Sequence, residues 1–214
     1  MKRHSRLTWA IALLLCPLIP HTSADSDKPS LAPPPKPVNV VVAYYSRTGN
    51  TEQMARAVAK GAAPHASVTL KPVAQVTKQD LTAAHAIILG CPTYFANIPG
   101  EMKTVIDDWN WKWKVDLTDK IGGTFATAGG PTGGQAHVVV SLLMFMLHNR
   151  MIVAGPLYQS ETTGSIWAEA GATAITGPKS PAVDENEKDA ARRLGRRIAL
   201  LAQKISQANN GDLQ

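Results

Sequence analysis

Six residues, Ser46-Arg47-Thr48-Gly49-Asn50-Thr51, gather three hydroxyls, an amide, a guanidinium and a glycine between an apolar run and an amphipathic one. The chemistry this suits is anion capture. At a helix N-terminus the backbone N–H groups point outward and the helix dipole adds positive potential. Ser46, Thr48 and Thr51 can donate hydroxyl hydrogen bonds, and Gly49 lets the backbone come close. A Walker loop is excluded because no Gly-Lys-Ser/Thr follows, and the missing GxGxxG argues against a dinucleotide lying across this turn. A phosphate monoester fits better. An ordinary polar strand–helix turn is the alternative.

The surrounding periodicities alternate between strand and helix. Val38 to Tyr45, Ser67 to Leu70, Ala86 to Gly90, Ile121 to Ala128 and Met151 to Ala154 read as strands. Met54, Ala57, Val58 and Gly61 have helical spacing, as do Met102, Val105, Ile106 and Trp109 behind Pro99. Further helices are expected from Gln135 to His148 and around Leu194, Ile198, Leu201 and Ile205, with capping-box spacing at Asp184 and Glu187. Arg192, Arg193, Arg196 and Arg197 lie around that last helix and read as a solvated face. Five strands alternating with helices predict an α/β three-layer sandwich, a five-stranded parallel sheet with helices on both faces. Ligands of such sheets lie beyond the carboxyl ends of the strands. The loops after Tyr45, Gly90, Ala128 and Ala154 are therefore the ones to inspect.

The ends of the chain modify the charge argument. Met1 to Arg6 is basic, Leu7 to Pro20 mostly apolar, and Thr22-Ser23-Ala24 supplies small residues, a pattern expected of a cleavable secretory signal over residues 1–24. The mature protein is expected outside the cytoplasm, in the periplasm. Lys2, Arg3 and Arg6 contribute three of the 22 bases in a 214-residue chain of formal charge +6, and the leader holds no acid. The remainder is therefore a net +3, which mostly rules out a nucleic-acid reading based on charge. Residues 25–37 carry five prolines and suit an extended tether, the domain is expected over 38–207, and 208–214 read as a disordered tail. Loss of the leader would leave Cys91 as the sole cysteine, which reads as a small buried thiol. No metal-ligand cluster and no Ser-His-Asp pattern is present, and no stable membrane insertion is expected.

Taken together, the loops resemble one family. Tyr44 to Thr51 looks like the FMN-phosphate loop of flavodoxins. Gly90-Cys91-Pro92-Thr93-Tyr94-Phe95-Ala96-Asn97, with Gly100, Met102 and Thr104, resembles the flavin loop of WrbA-type NAD(P)H:quinone oxidoreductases. Phe125 to Gly129, the run ending Gly133-Gly134-Gln135, His148 before Met151, and Gly171 to Ile175 match in order. The resemblance implies a flavodoxin-like fold, FMN as cofactor, NAD(P)H as donor, a quinone as acceptor and a homo-oligomer. By position it implies that Ser46, Arg47, Thr48, Gly49, Asn50 and Thr51 hold the phosphate. Thr93, Tyr94 and Phe95 would line the isoalloxazine, partly through backbone amides. Thr127, Ala128, Gly129, Gly130 and Gly133 would wrap its other edge, with His148 beside the flavin and catalytic, and Trp113 against the substrate.

The chain also departs from that family. Tyr94 stands where arginine is common, Asn149 replaces a second histidine, Pro131 lengthens the glycine loop and Thr48 replaces an aromatic residue. Two further readings keep the fold: an exported FMN electron carrier, disfavoured by the lack of acidity, and a flavin-free interaction module. For His148 a structural role at a helix end is the alternative. Trp109 reads as packing, whereas Trp111 and Trp113 are either packing or pocket wall. His137 is assigned to the surface or a partner contact.

Overall fold

The computed structural model describes residues 37–156, 170–177 and 182–211, with side chains through residue 208. The expected leader, most of the tether and the last residues of the tail lie outside them. The described residues form one compact unit.

β1 (Asn39–Tyr44), β2 (Ser67–Pro72), β3 (Ala86–Pro92) and β4 (Ile121–Ala128) pair in parallel in the order β2-β1-β3-β4. The fifth position is split. β5 (Ile152–Val153) pairs with Ile121 and Gly122, and β6 (Ala172–Ile175) pairs with Phe125 to Ala128, so both take the outer edge of β4. The fifth strand expected from Met151 to Ala154 is thus only two residues long, and a second segment completes its place. That arrangement is the flavodoxin-like five-position sheet.

Alternation along the strands feeds two cores. Val40, Val42 and Tyr44 join Ile88 and Phe125 on the face covered by α1 (Asn50–Ala62) and α5 (Glu185–Gly211). Val41, Ala43, Ile87, Leu89 and Cys91 join the other face, covered by α3 (Gly100–Trp111) and α4 (Gln135–His148). Burying both faces explains why β3 and β4 read as nearly unbroken apolar runs. A short helix, α2 (Lys78–Ala83), follows a 3-10 turn at Val73–Gln75; neither was expected from the pattern. α5 continues to Gly211, past the domain end expected at residue 207.

α1 and α5 approach each other through glycine. A Cβ on Gly195 would stand 1.9 Å from the Val58 carbonyl oxygen, and one on Gly61 would stand 1.9 Å from that of Arg192. The two backbones touch there, and neither contact can relax by a rotamer change. Gly195→Ala is expected to destabilise the fold by about 2–3 kcal/mol. Gly100→Ala, where a Cβ meets nothing within 4 Å, serves as the neutral control. Urea unfolding of both variants checks this; equal midpoints would refute the backbone contact.

Candidate functional site

Helix capping separates one edge of the sheet from the remaining helix starts. α2 begins with a full capping box between Thr77 and Asp80. At the start of α5, Asp184 Oδ1 accepts from the Asn186 amide and Glu187 Oε2 accepts from the Asp184 amide at 3.0 Å. α1, α3 and α4 start at Gly49, Pro99 and Gly134 with no side-chain cap. These three helices follow β1, β3 and β4 directly, so their N-termini converge at the carboxyl ends of the strands. Their first-turn N–H groups and dipoles are left for a ligand.

The loop Ser46 to Thr51 has the geometry that capture of an anion requires. Ser46 Oγ accepts from the Gly49 amide at 3.1 Å, which turns the chain and leaves the hydroxyl proton to donate elsewhere. Helical bonding begins only at Gln53, whose N–H donates to the Gly49 carbonyl at 3.0 Å. Gly49 has φ +92°, and its open side meets nothing within 4 Å. Arg47 and Thr48 are exposed. Thr51 is buried, and its hydroxyl lies 2.7 Å from that of Thr127, tying the start of α1 to the end of β4.

The other two loops meet above β3 and β4. The Thr93 amide donates to the Thr127 carbonyl at 2.8 Å, and the Tyr94 amide donates to the Asn97 carbonyl at 3.0 Å. This corrects the expectation that the Thr93 and Tyr94 amides face a ring: both are spent holding the loop, and the Phe95 amide is left for that role. Phe95 and Ala96 have φ +50° and +62°, a left-handed pair that presents the Phe95 ring fully to solvent. A Cβ on Gly134 would sit 2.6 Å from Ala96, and one on Gly133 would sit 2.8 Å from the Ala128 methyl. Gly129 and Gly130 instead border open space. The backbone of Gly129 and Gly130 is therefore bare toward open space just beyond the end of β4, where a cleft between the three loops would lie.

The side chains behind the cleft are tuned away from neutrality. The Tyr45 hydroxyl donates to Glu101 Oε1 at 2.7 Å, and its ring meets the Tyr94 ring edge-on at 6.1 Å. The Glu101 carboxylate, followed by Tyr94, pushes the Tyr45 phenol well above its ordinary value. Hydrogen bonding from Tyr45 lowers Glu101. Burial pushes the Cys91 thiol up to about 12, so Cys91 is the inert packing residue expected. The Tyr45–Glu101 link was not foreseen; its signal is an acid at the second position of a helix that opens after proline.

Two expected residues stay away from this cluster. α4 starts at the cleft and its 14 residues carry His148 about 20 Å down the sheet. From there the chain enters β5, whose Ile152 pairs with the first residue of β4. His148 is exposed at that opposite edge, so within one chain it cannot touch a group held by the loops. Trp113 likewise follows the far end of α3 and packs partly buried against the second core. Trp111 is 81 % exposed, whereas Trp109 is wholly buried against Phe145, as packing requires. His137 is exposed on α4.

Comparison with known proteins agrees with this geometry. An NAD(P)H dehydrogenase (quinone) of Gluconacetobacter diazotrophicus is 34% identical over 197 residues, spanning 78% of this chain and 98% of that protein. The chain belongs to the NAD(P)H dehydrogenase (quinone) family. A relative of the same name from Solidesulfovibrio magneticus is 32% identical over 78% of the chain. The NADPH-dependent FMN reductase family matches residues 64–163. Among solved structures, a WrbA-like flavodoxin of Agrobacterium tumefaciens superposes with TM-score 0.61 at 24% identity, covering 78% of this chain and 98% of that one. An archaeal flavodoxin gives TM-score 0.60 at 22% identity. These two establish the shared fold.

The cleft suits a flavin mononucleotide, with open backbone at Gly49 for a phosphate and at Gly129 and Gly130 for a ring edge. Gly49→Val is expected to weaken FMN binding by about tenfold or more. Its side chain would occupy the phosphate approach, and the φ of +92° at Gly49 would strain a β-branched residue and shift the turn as well. Flavin fluorescence titration measures this, with circular dichroism to confirm the fold; unchanged affinity would remove the loop from the site.

Proposed function

We propose that the protein is an FMN-dependent NAD(P)H:quinone oxidoreductase performing two-electron reduction of quinones. The observation that carries this is the convergence of three uncapped helix N-termini on a cleft of bare glycine backbone, in a chain of this family. Bound FMN would supply the hydride and electron chemistry. Ser46, Thr48 and Thr51, with the first turn of α1, would hold and neutralise its phosphate. The Phe95 amide and the loop from Gly129 to Gly133 would orient the ring. Thr127 locks these loops together by accepting from Thr93 and meeting Thr51. Among the described residues no group of His, Cys, Asp or Glu could hold a metal.

The reading extends to a homo-oligomer. Val140, Met144 and Leu147 form an exposed apolar stripe along α4, continued by Ile152. A second copy is the occupant this supports, because His148 and Trp113 could meet a flavin only on another chain. On this reading Met144→Glu separates the copies and lowers quinone reduction severalfold, while FMN affinity per chain is kept. Size-exclusion chromatography with light scattering, alongside NADH and NADPH oxidation with benzoquinone, tests both parts. A monomeric wild type of full activity would sink the oligomer, and absence of turnover with either nucleotide would sink the enzyme.

We also infer export to the periplasm, which the basic and apolar pattern of residues 1–24 supports. Among the described residues no helix is long and apolar enough to cross a membrane. Intact mass of the protein from fractionated cells should correspond to a chain beginning at Asp25 in the periplasmic fraction. A chain retaining Met1 to Ala24 in the cytoplasm would refute export.

A further inference from the structure

The α1–α5 layer carries a cationic cavity that the flavin reading does not use. It has a volume of about 430 Å³ and lies where the end of α1 meets the first half of α5. Lys60, His65, Arg192, Arg193 and Arg196 line it, with Asp189 as its one carboxylate. The glycine contact creates this arrangement. Because the Arg192 backbone rests on Gly61, the bases at Lys60, Arg192 and Arg196 share one wall instead of spreading over two separate helices.

Charge pairing leaves this wall unbalanced. Asp189 is engaged by both Arg192 and Arg193. Glu185 is engaged by Lys188 at 2.9 Å and by Arg192 at 3.5 Å. Higher on α1, Arg56 and Glu52 satisfy each other. Lys60 and Arg196 have no ion pair with any described residue. Arg193 Nε is enclosed with no acceptor, on a side chain only 18% exposed. A buried guanidinium N–H without an acceptor is costly, and Arg193 bears that cost while it engages Asp189 and lines the cavity. Lys60 alone has a structural reason, since it offsets the dipole at the end of α1. Arg196 has none among the described residues.

We propose that this cavity binds a phosphate-bearing group. Its oxygens would accept from the Arg196 guanidinium and the Lys60 ammonium, a charged donor set that favours a multiply charged tetrahedral anion. The volume admits a phosphate ester, either a soluble one or the headgroup of an anionic lipid.

Inorganic phosphate titrated at low ionic strength into the full protein saturated with FMN tests the site. Saturable amide shifts at Gly61 and Gly195 are expected by NMR. K60E/R196E is expected to weaken them by about tenfold or more, with FMN affinity unchanged. The milder K60Q/R196Q guards against misfolding and should fall between. Absence of saturable shifts, or equal shifts in both double variants and wild type, would overturn the proposal. Sedimentation with phosphatidylcholine vesicles, with and without phosphatidylglycerol, identifies the source. Retention on phosphatidylglycerol that K60E/R196E abolishes supports a lipid headgroup. Phosphate binding without retention supports a soluble ester, and retention unchanged in the variant counts against this cavity.

Discussion

Parallel strand polarity is the constraint on which both the site and its gaps depend. Because β1, β3 and β4 run the same way, the helices that follow them all begin at one edge of the sheet. Their uncapped first turns add their dipoles in one place, and short links hold the loops in register. Thr127 is the hub of those links, joined to Thr51 through its hydroxyl and to Thr93 through its carbonyl. The same polarity sends the far ends of α3 and α4 to the opposite edge. Trp113 and His148 are there for the reason that Gly49 and Gly133 are at the cleft.

That distinction sets what could be read from the sequence. The polar turn from Ser46 to Thr51 and the uncapped start of α1 were legible because a strand, a polar turn and a helix start are contiguous in the chain. The layers were legible because buried parallel strands leave apolar runs and helices leave stripes at Met54, Ala57 and Val58. The place of His148 and Trp113 was not legible, because matching a motif by order gives no edge of the sheet. α2 escaped notice because six residues cannot display a helical period. The fifth strand was half seen: Ile152 and Val153 were found, but the pairing of Ala172 to Ile175 with β4 is a long-range fact.

The loop after β3 shows why side-chain identity was a poor guide to its role. Its amides at Thr93 and Tyr94 are consumed internally, and its tip is left-handed at Phe95 and Ala96. The Tyr94 side chain points toward Tyr45, so the exchange from the family's common arginine alters the brace behind the loop. The cleft itself is formed by backbone, which tolerates such exchanges. Ala96 and Gly134 meet so closely that a side chain on Gly134 would displace the loop.

The electrostatics assign a division of labour. The shifted groups nearest the cleft move away from neutrality: Tyr45 and Cys91 upward, Glu101 downward. A general acid or base works best with a pKa near the operating pH, and these groups are driven from that condition. Tyr45 keeps its proton because Glu101 accepts it in a hydrogen bond, which makes the pair a mechanical brace. Cys91 is held as an uncharged thiol in an apolar core. A cleft of that kind orients and encloses a reactive group without reacting, which is the protein's share of the work when a flavin carries the electrons.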